Sequence, residues 1–190
     1  MTIKRGLSTA ILLAGVLAAA PLFAGPTITL RGEPLTLLGK TVAVGDPLPV
    51  EALTASGLKN FDAAGLKGKV SVVSVVPSID TAVCEKQTHI LSEENGGLDQ
   101  TANLVTISRD LPFAQKRFAK AAHMENILFL SDYRTAEFGK AAGLLIDESR
   151  LLARAVMVLD RQGVVRYLEI VPDLGQLPDM HKAFEFARGL

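Results

Sequence analysis

Apolar runs and the polar segments between them alternate along this chain and predict its secondary structure. An unbroken apolar run, 70–76, is typical of a buried strand, and Pro77 ends it because proline cannot donate to a sheet ladder. The predicted strands are 70–76, 103–107, 127–130, 155–159 and 164–170. The predicted helices are 83–94, 112–122, 135–142 and 178–188. Strands that alternate with helices and then form a hairpin indicate an α/β fold with a mixed sheet.

The first residues have the pattern of a secretory signal peptide. Two basic residues precede an apolar stretch, 11–20, and Ala24 marks a cleavage point. The stretch is shorter than the roughly 20 apolar residues that a membrane span needs, although an uncleaved tether is the alternative. The sequence therefore predicts a signal peptide at 1–24 and one domain at 25–190. It also predicts a periplasmic or secreted protein with no stable membrane association after cleavage.

The charge balance gives no support for nucleic-acid binding. The chain has 20 basic and 20 acidic residues, and residues 1–24 contain two basic residues and no acidic ones. Residues 25–190 therefore carry 18 basic and 20 acidic residues, a net charge of −2, with no basic runs.

The chain has one cysteine, Cys84, which can form neither an internal disulfide nor a structural zinc site. It follows the predicted strand 70–76 and Pro77, and either Asp80 or Thr81 can cap the next helix. Cys84 is then expected in or near the first turn, where unpaired N–H groups and the helix dipole favour an anion, here the nucleophilic thiolate. The structural alternative is a buried and inert cysteine, which is the usual state of a free thiol.

The residues around Cys84 favour a reactive role. Thr81 lies three positions before it, so the two side chains can reach the same pocket. Pro77 can shield a thiolate from water without offering a competing donor.

Pro77, Thr81 and Cys84 match the Pro-x-x-x-Thr-x-x-Cys motif of peroxiredoxins. Three further strings resemble the thiol peroxidase (Tpx) subfamily in matching order and spacing: 28–37, 110–118 and 151–156. The resemblance runs from about residue 27 to near the C-terminus. It implies a thioredoxin-like (peroxiredoxin) fold, which is an α/β fold with a mixed central sheet flanked by helices, and an N-terminal β-hairpin.

The resemblance also implies the chemistry. Cys84 would be the peroxidatic nucleophile that attacks a hydroperoxide and becomes a sulfenic acid, and Thr81 would hydrogen-bond the peroxide. Arg154 would stabilise the charge that develops as the O–O bond breaks, because its guanidinium is always charged and can contact two atoms at once. The alternative for Arg154 is a surface ion pair. The resemblance implies no cofactor and no metal. It does imply a homodimer.

One departure from the subfamily pattern concerns the resolving cysteine. Many thiol peroxidases carry it at the position that Ala119 occupies here, and no other cysteine replaces it. The sulfenic acid would need an external thiol reductant or Cys84 of another subunit. A non-turnover peroxide sensor or redox-sensitive binding protein, which uses Cys84 once, is the second functional class.

Other chemistries have weaker support in the sequence. His89, His123 and His181 show no metal-ligand spacing, and a Cys–His hydrolase would need one of them brought next to Cys84. A disulfide oxidoreductase would need a Cys-x-x-Cys pair, which the chain lacks.

Overall fold

A five-stranded mixed sheet forms the centre of the fold. The computed structural model describes residues 26–190, so the predicted signal segment lies outside the described residues. The strands are β1 (Ile28–Leu30), β2 (Glu33–Leu35), β3 (Leu37–Leu38), β4 (Ser71–Val75), β5 (Asn103–Ser108), β6 (Ile127–Ser131), β7 (Leu145–Ile146), β8 (Ala155–Leu159) and β9 (Val165–Ile170). The helices are α1 (Ala82–Glu93), α2 (Pro112–Ala121), α3 (Glu137–Ala141) and α4 (Met180–Arg188).

The central sheet has the strand order β6-β5-β4-β8-β9. β4, β5 and β6 run parallel, whereas β8 is antiparallel to β4 and to β9. The predicted alternation of strands and helices and the closing hairpin are therefore confirmed, as is the thioredoxin-like class with its mixed sheet.

Both faces of β4 are buried, which explains why its sequence is apolar without interruption. Val73 and Val75 pack into one hydrophobic core with residues from the loops before β4 and after α3. Val72 faces the opposite core, where it meets side chains of α1 and α4. The sheet is thus covered on both sides, and its parallel strands end at one edge, where α1 begins.

An antiparallel hairpin of β1 and β2 stands at the N-terminal end of the described chain, as the resemblance predicted. Its turn residues Arg31 and Gly32 both have positive φ, 55° and 85°, which suits a tight two-residue turn with the twist of a hairpin. A second two-stranded sheet, β3 with β7, was not predicted, because two-residue strands leave no periodic pattern.

α3 is shorter than the predicted helix 135–142. Ala136 has a left-handed φ of 57°, so the helix cannot start before Glu137. The buried Asp132 carboxylate accepts the first free N–H groups of the helix, from Phe138 at 3.2 Å and Gly139 at 2.9 Å. Across residues 26–190, no helix is long and apolar enough to cross a membrane.

Candidate active site

The start of α1 places Cys84 at the end of β4. Thr81 is the N-cap residue, and its carbonyl accepts the first helical hydrogen bond from the Glu85 N–H at 2.9 Å. Cys84 is therefore in the first turn, as predicted. The expected side-chain cap is absent, because the Thr81 hydroxyl donates instead to the carbonyl of Ser78 at 3.2 Å.

The loop between β4 and α1 is fixed by a carboxylate from the neighbouring strand. Asp110, just after β5, accepts a hydrogen bond from the Ser78 hydroxyl at 2.7 Å and from the Ile79 N–H at 2.8 Å. These two bonds tie the loop to the loop between β5 and α2, so the first turn of α1 has a defined position. Asp110 was part of a matched string, but its role was not predicted.

The Cys84 side chain is completely buried, with 0% exposure. Val76 and Ile79 form a small apolar cluster with it, and Phe118 and Phe129 pack against that cluster. The two rings meet edge to face at a centroid distance of 6.2 Å. Burial alone fits the alternative of an inert cysteine, but the next neighbour of the sulfur is a charged group.

That neighbour is Arg154, a fully charged residue with only 2% exposure. Its Nη2 donates to Cys84 Sγ at 3.4 Å, and its Nη1 donates to Gln87 Oε1 at 2.7 Å. Nε and Nη2 both donate to the Leu174 carbonyl, at 3.1 and 3.0 Å. The guanidinium is thus held from three sides, and the alternative of a surface ion pair for Arg154 is wrong.

The Arg154 charge has no carboxylate partner. In the described part of the chain, every ion pair within 4.0 Å involves other residues. A buried cation is costly unless an anion lies against it, and the other two groups that accept from Arg154 are neutral. Among the three groups that accept from Arg154, the Cys84 sulfur is the one whose chemistry includes an ionised form.

Gln87 is a site residue that the sequence reasoning missed. It is fully buried, and while its Oε1 accepts from Arg154, its Nε2 donates to Ser74 Oγ at 2.8 Å and to the Ala155 carbonyl at 3.3 Å. Its amide therefore links β4 and β8 and fixes one edge of the guanidinium. The available signal was its spacing from Cys84, since residues three apart share a helix face.

A cleft of about 480 Å³ opens beside these residues, and Pro77, Thr81 and Arg154 form part of its wall. Most of the remaining lining is apolar and comes from the hairpin, the β7–β8 region, α1 and the segment after β9: Leu30, Leu35, Val83, Ile146, Leu151 and Leu174. The structure therefore brings all four predicted site residues to one place, with Pro77, Thr81 and Arg154 on the cleft and Cys84 buried beside Arg154.

The histidines lie elsewhere. His89 contacts Glu93 at 2.6 Å, and His181 contacts Glu94 at 3.2 Å, while His123 is exposed. Among the described side chains, Arg154 is the hydrogen-bond partner of Cys84 Sγ, so a Cys–His pair is not formed. Within the same residues, no three His, Cys, Asp or Glu side chains group as metal ligands would.

Comparison with known proteins agrees with this geometry. The redoxin family matches residues 43–184. A thiol peroxidase of Halalkalibacterium halodurans is 47% identical over 162 residues, which cover 85% of this chain and 97% of that protein. The chain belongs to the thiol peroxidase family. A thiol peroxidase of Bacillus subtilis is 45% identical over 163 residues, which cover 86% of this chain and 97% of its own.

Comparison with solved structures agrees with this family. A peroxiredoxin-like protein from Aquifex aeolicus is 34% identical in sequence to this chain, and its crystal structure matches the fold with a TM-score of 0.79. The match covers 87% of this chain and 97% of that one. With Cys84 as its one cysteine and Ala119 on α2, the chain is a thiol-dependent peroxidase of the one-Cys type that lacks the resolving cysteine.

Proposed function

We propose that the chain reduces hydrogen peroxide and organic hydroperoxides through a sulfenic acid at Cys84. The thiolate sulfur attacks the terminal peroxide oxygen, an S–O bond forms, and the O–O bond breaks. The leaving oxygen takes a proton and departs as water or an alcohol. Cys84 is oxidised by two electrons, and the hydroperoxide is reduced by two.

The observation that carries the proposal is the buried contact between Arg154 and Cys84 Sγ at 3.4 Å. A guanidinium without a carboxylate partner favours the thiolate and then stabilises negative charge on the departing oxygen, since its fork can contact two atoms. At 3.4 Å, two unit charges attract by about 5 kcal/mol at an effective dielectric constant near 20, before desolvation is subtracted.

The other predicted residues have supporting roles in this proposal. Thr81 faces the cleft with a hydroxyl that can turn from Ser78 to a bound peroxide. Pro77 limits access of water to the sulfur. The apolar lining of the cleft supports organic hydroperoxides as substrates, because burying an alkyl group there contributes roughly 25 cal/mol per Å².

Reduction of the sulfenic acid requires an external thiol in this proposal. One thiol attacks Cys84 Sγ, water leaves, and a mixed disulfide forms. A second thiol then releases a disulfide product and restores Cys84. Without that thiol, excess peroxide carries the sulfenic acid to sulfinic acid, which most systems cannot reverse.

We also propose a homodimer and an exported location. Exposed apolar side chains lie where the 3₁₀ turn Ser56–Leu58 packs against α2. Leu58, Leu111 and Phe113 are 38, 50 and 61% exposed there, which is a patch that a second copy could cover. Export follows from the signal-peptide pattern of residues 1–24.

The test uses the chain from residue 25, with Cys84→Ser as the control. One equivalent of peroxide should add one oxygen atom to the intact mass, and a dione reagent should trap the product. Repeated consumption of peroxide with dithiothreitol is expected in the wild type and not in the control. A single burst without turnover would instead support the sensor, and quantitative conversion to a disulfide-linked dimer would show that Cys84 resolves itself across subunits.

A further inference from the structure

One residue of the β1–β2 hairpin, Thr29, bonds through its backbone to the segment that follows β9. In the hairpin register, Thr29 faces Pro34, which has no N–H, so this pair is not hydrogen-bonded. The N–H and carbonyl of Thr29 therefore point away from β2. The N–H donates to the Pro172 carbonyl at 2.7 Å, and the carbonyl accepts from the Leu174 N–H at 2.9 Å.

The segment 172–174 that receives these bonds also holds Arg154. The Leu174 carbonyl accepts from two nitrogens of the guanidinium, at 3.1 and 3.0 Å. One of them, Nη2, is the nitrogen that contacts Cys84 Sγ. The position of the Leu174 carbonyl therefore sets where the nitrogen facing the sulfur can lie.

Apart from the Arg154 bonds and the packing of the Leu174 side chain into the core, few contacts fix this segment. It follows β9 and belongs to no helix or strand of the described chain. Its other hydrogen bonds are local: Asp173 accepts from the Gly175 N–H at 2.8 Å and the Gln176 N–H at 2.9 Å. Besides the Arg154 bonds, its hydrogen-bond ties to a distant part of the chain all come from Thr29: the two backbone bonds and a longer one, at 3.3 Å, from the Thr29 hydroxyl to the Pro172 carbonyl.

We propose that the hairpin is a positioning element of the active site, which aligns Arg154 with Cys84 by holding segment 172–174 through Thr29. The proposal rests on the proposed peroxidase function and adds a role for residues far from the sulfur. When Thr29 loses its bonds, the Leu174 carbonyl is released, and Nη2 loses the acceptor that places it against the thiolate.

A different role for the hairpin must be separated from this one. Leu30 and Leu35 line the cleft, so the hairpin could affect only the binding of bulky hydroperoxides. A change in cleft shape would spare hydrogen peroxide, which needs no apolar surface. Misplacement of Arg154 would slow the reaction with every peroxide by a similar factor.

The test variant is Thr29→Pro, which removes the N–H that donates to Pro172. The matched control is Thr29→Val, which removes only the longer bond of 3.3 Å from the hydroxyl to the Pro172 carbonyl and retains the backbone N–H and the β-branched shape. The chain has no tryptophan, so the reaction is followed by rapid quenching, alkylation of unreacted thiol and intact-mass measurement. Second-order rate constants are measured with hydrogen peroxide and with cumene hydroperoxide.

We expect Thr29→Pro to lower both rate constants by about tenfold, because a displaced Leu174 carbonyl weakens its hydrogen bonds to the charged guanidinium, while Thr29→Val stays within about twofold of wild type. Thr29→Gly keeps the N–H but loosens the strand, and a smaller loss is expected. If Thr29→Pro does not fold, as judged by cooperative unfolding in urea, Thr29→Gly supplies the result.

A double-mutant cycle identifies the route of the effect. In an Arg154→Lys background, Thr29→Pro should add less than about a twofold further loss, because the fork it positions is already gone. The proposal would be overturned if the losses caused by Thr29→Pro and Arg154→Lys simply multiplied. Wild-type rates in both Thr29→Pro and Thr29→Gly would also overturn it. So would a loss of rate confined to cumene hydroperoxide. If the wild-type chain itself consumes no peroxide, the proposed function fails instead, and that outcome is separate.

Discussion

Replacing Gln87 with methionine tests how the buried guanidinium is held. Methionine has a similar length and no strong acceptor, so Gln87→Met leaves the Arg154 Nη1 donor without the bond that is 2.7 Å long in the wild type. The bonds to Ser74 Oγ and to the Ala155 carbonyl are lost as well. Gln87 is 0% exposed, so water cannot readily take the place of the amide.

The size of the effect follows from these contacts. A hydrogen bond to a charged group contributes about 1.5–3 kcal/mol, and an unsatisfied buried donor costs a similar amount. If the guanidinium moves from the sulfur, about 1.4 kcal/mol of that loss already gives a tenfold slower reaction. We expect Gln87→Met to react with hydrogen peroxide at least about tenfold more slowly and to melt roughly 3–10 °C lower.

Gln115 is a matched control within the same fold. It is 2% exposed, and its amide donates to Ser108 Oγ at 3.0 Å and to the Leu130 carbonyl at 2.8 Å, much as Gln87 bridges β4 and β8. Gln115→Met should lower the melting temperature without a comparable loss of rate. The assay is quenched single turnover alongside thermal unfolding. A wild-type rate in Gln87→Met, or an equal loss in both variants, would refute the assigned role.

Three further results are expected. Thr81→Val should slow the peroxide reaction more than Thr81→Ser, measured as second-order rates, because only serine keeps the hydroxyl on the cleft. Cys84→Ser should lower the free energy of unfolding in urea at pH 7, because serine cannot carry the negative charge that the proposed thiolate sets against the buried guanidinium. Burial raises the pKa of Asp160, but hydrogen bonds from Val164 and Arg166 outweigh it, so the pKa lies below its usual value. The stability that ionised Asp160 provides is then present above about pH 4 and is lost as the pH falls through the lower folded-state pKa. The difference in the free energy of unfolding between the wild type and Asp160→Asn, measured in urea, should therefore shrink as the pH falls below about 4.

The elements with long apolar runs or clear end signals were predictable from the sequence. β4, β8 and β9 were expected within a residue or so, because a strand buried on both faces or paired in a hairpin leaves a direct pattern. The predicted α3 was too long, since Ala136 adopts a left-handed backbone conformation that alanine rarely takes and that the sequence pattern does not indicate. The two-residue strands β3 and β7 were too short to leave any periodicity.

The site was predictable as a set of residues but not as a network. Cys84 and Thr81 could be predicted as neighbours because they lie three residues apart, just after a predicted strand. Arg154 reaches them only because β8 pairs antiparallel with β4 in a register that sets Ala155 opposite Val75. That register puts Arg154 beside the end of β4, and a shift by one residue would turn its side chain to the other face. The family resemblance suggested Arg154, but the hydrophobic periodicity of the sequence could not show which groups accept hydrogen bonds from its guanidinium.

Because no carboxylate of the described residues lies next to Arg154, the same uncompensated charge affects both the stability of the site and the chemistry proposed for it. An Asp or Glu in contact would neutralise the guanidinium permanently and remove its electrostatic support for the thiolate of the proposed mechanism. The neutral acceptors Gln87 and the Leu174 carbonyl orient the charge without cancelling it. In the proposed cycle, oxidation replaces the thiolate by a neutral sulfenic acid, so the buried cation loses its partner at that step. If this cycle operates, we expect the oxidised site to be less stable than the reduced one, and opening of the first turn of α1 would then give an external thiol access to a sulfur that is fully buried in the reduced protein.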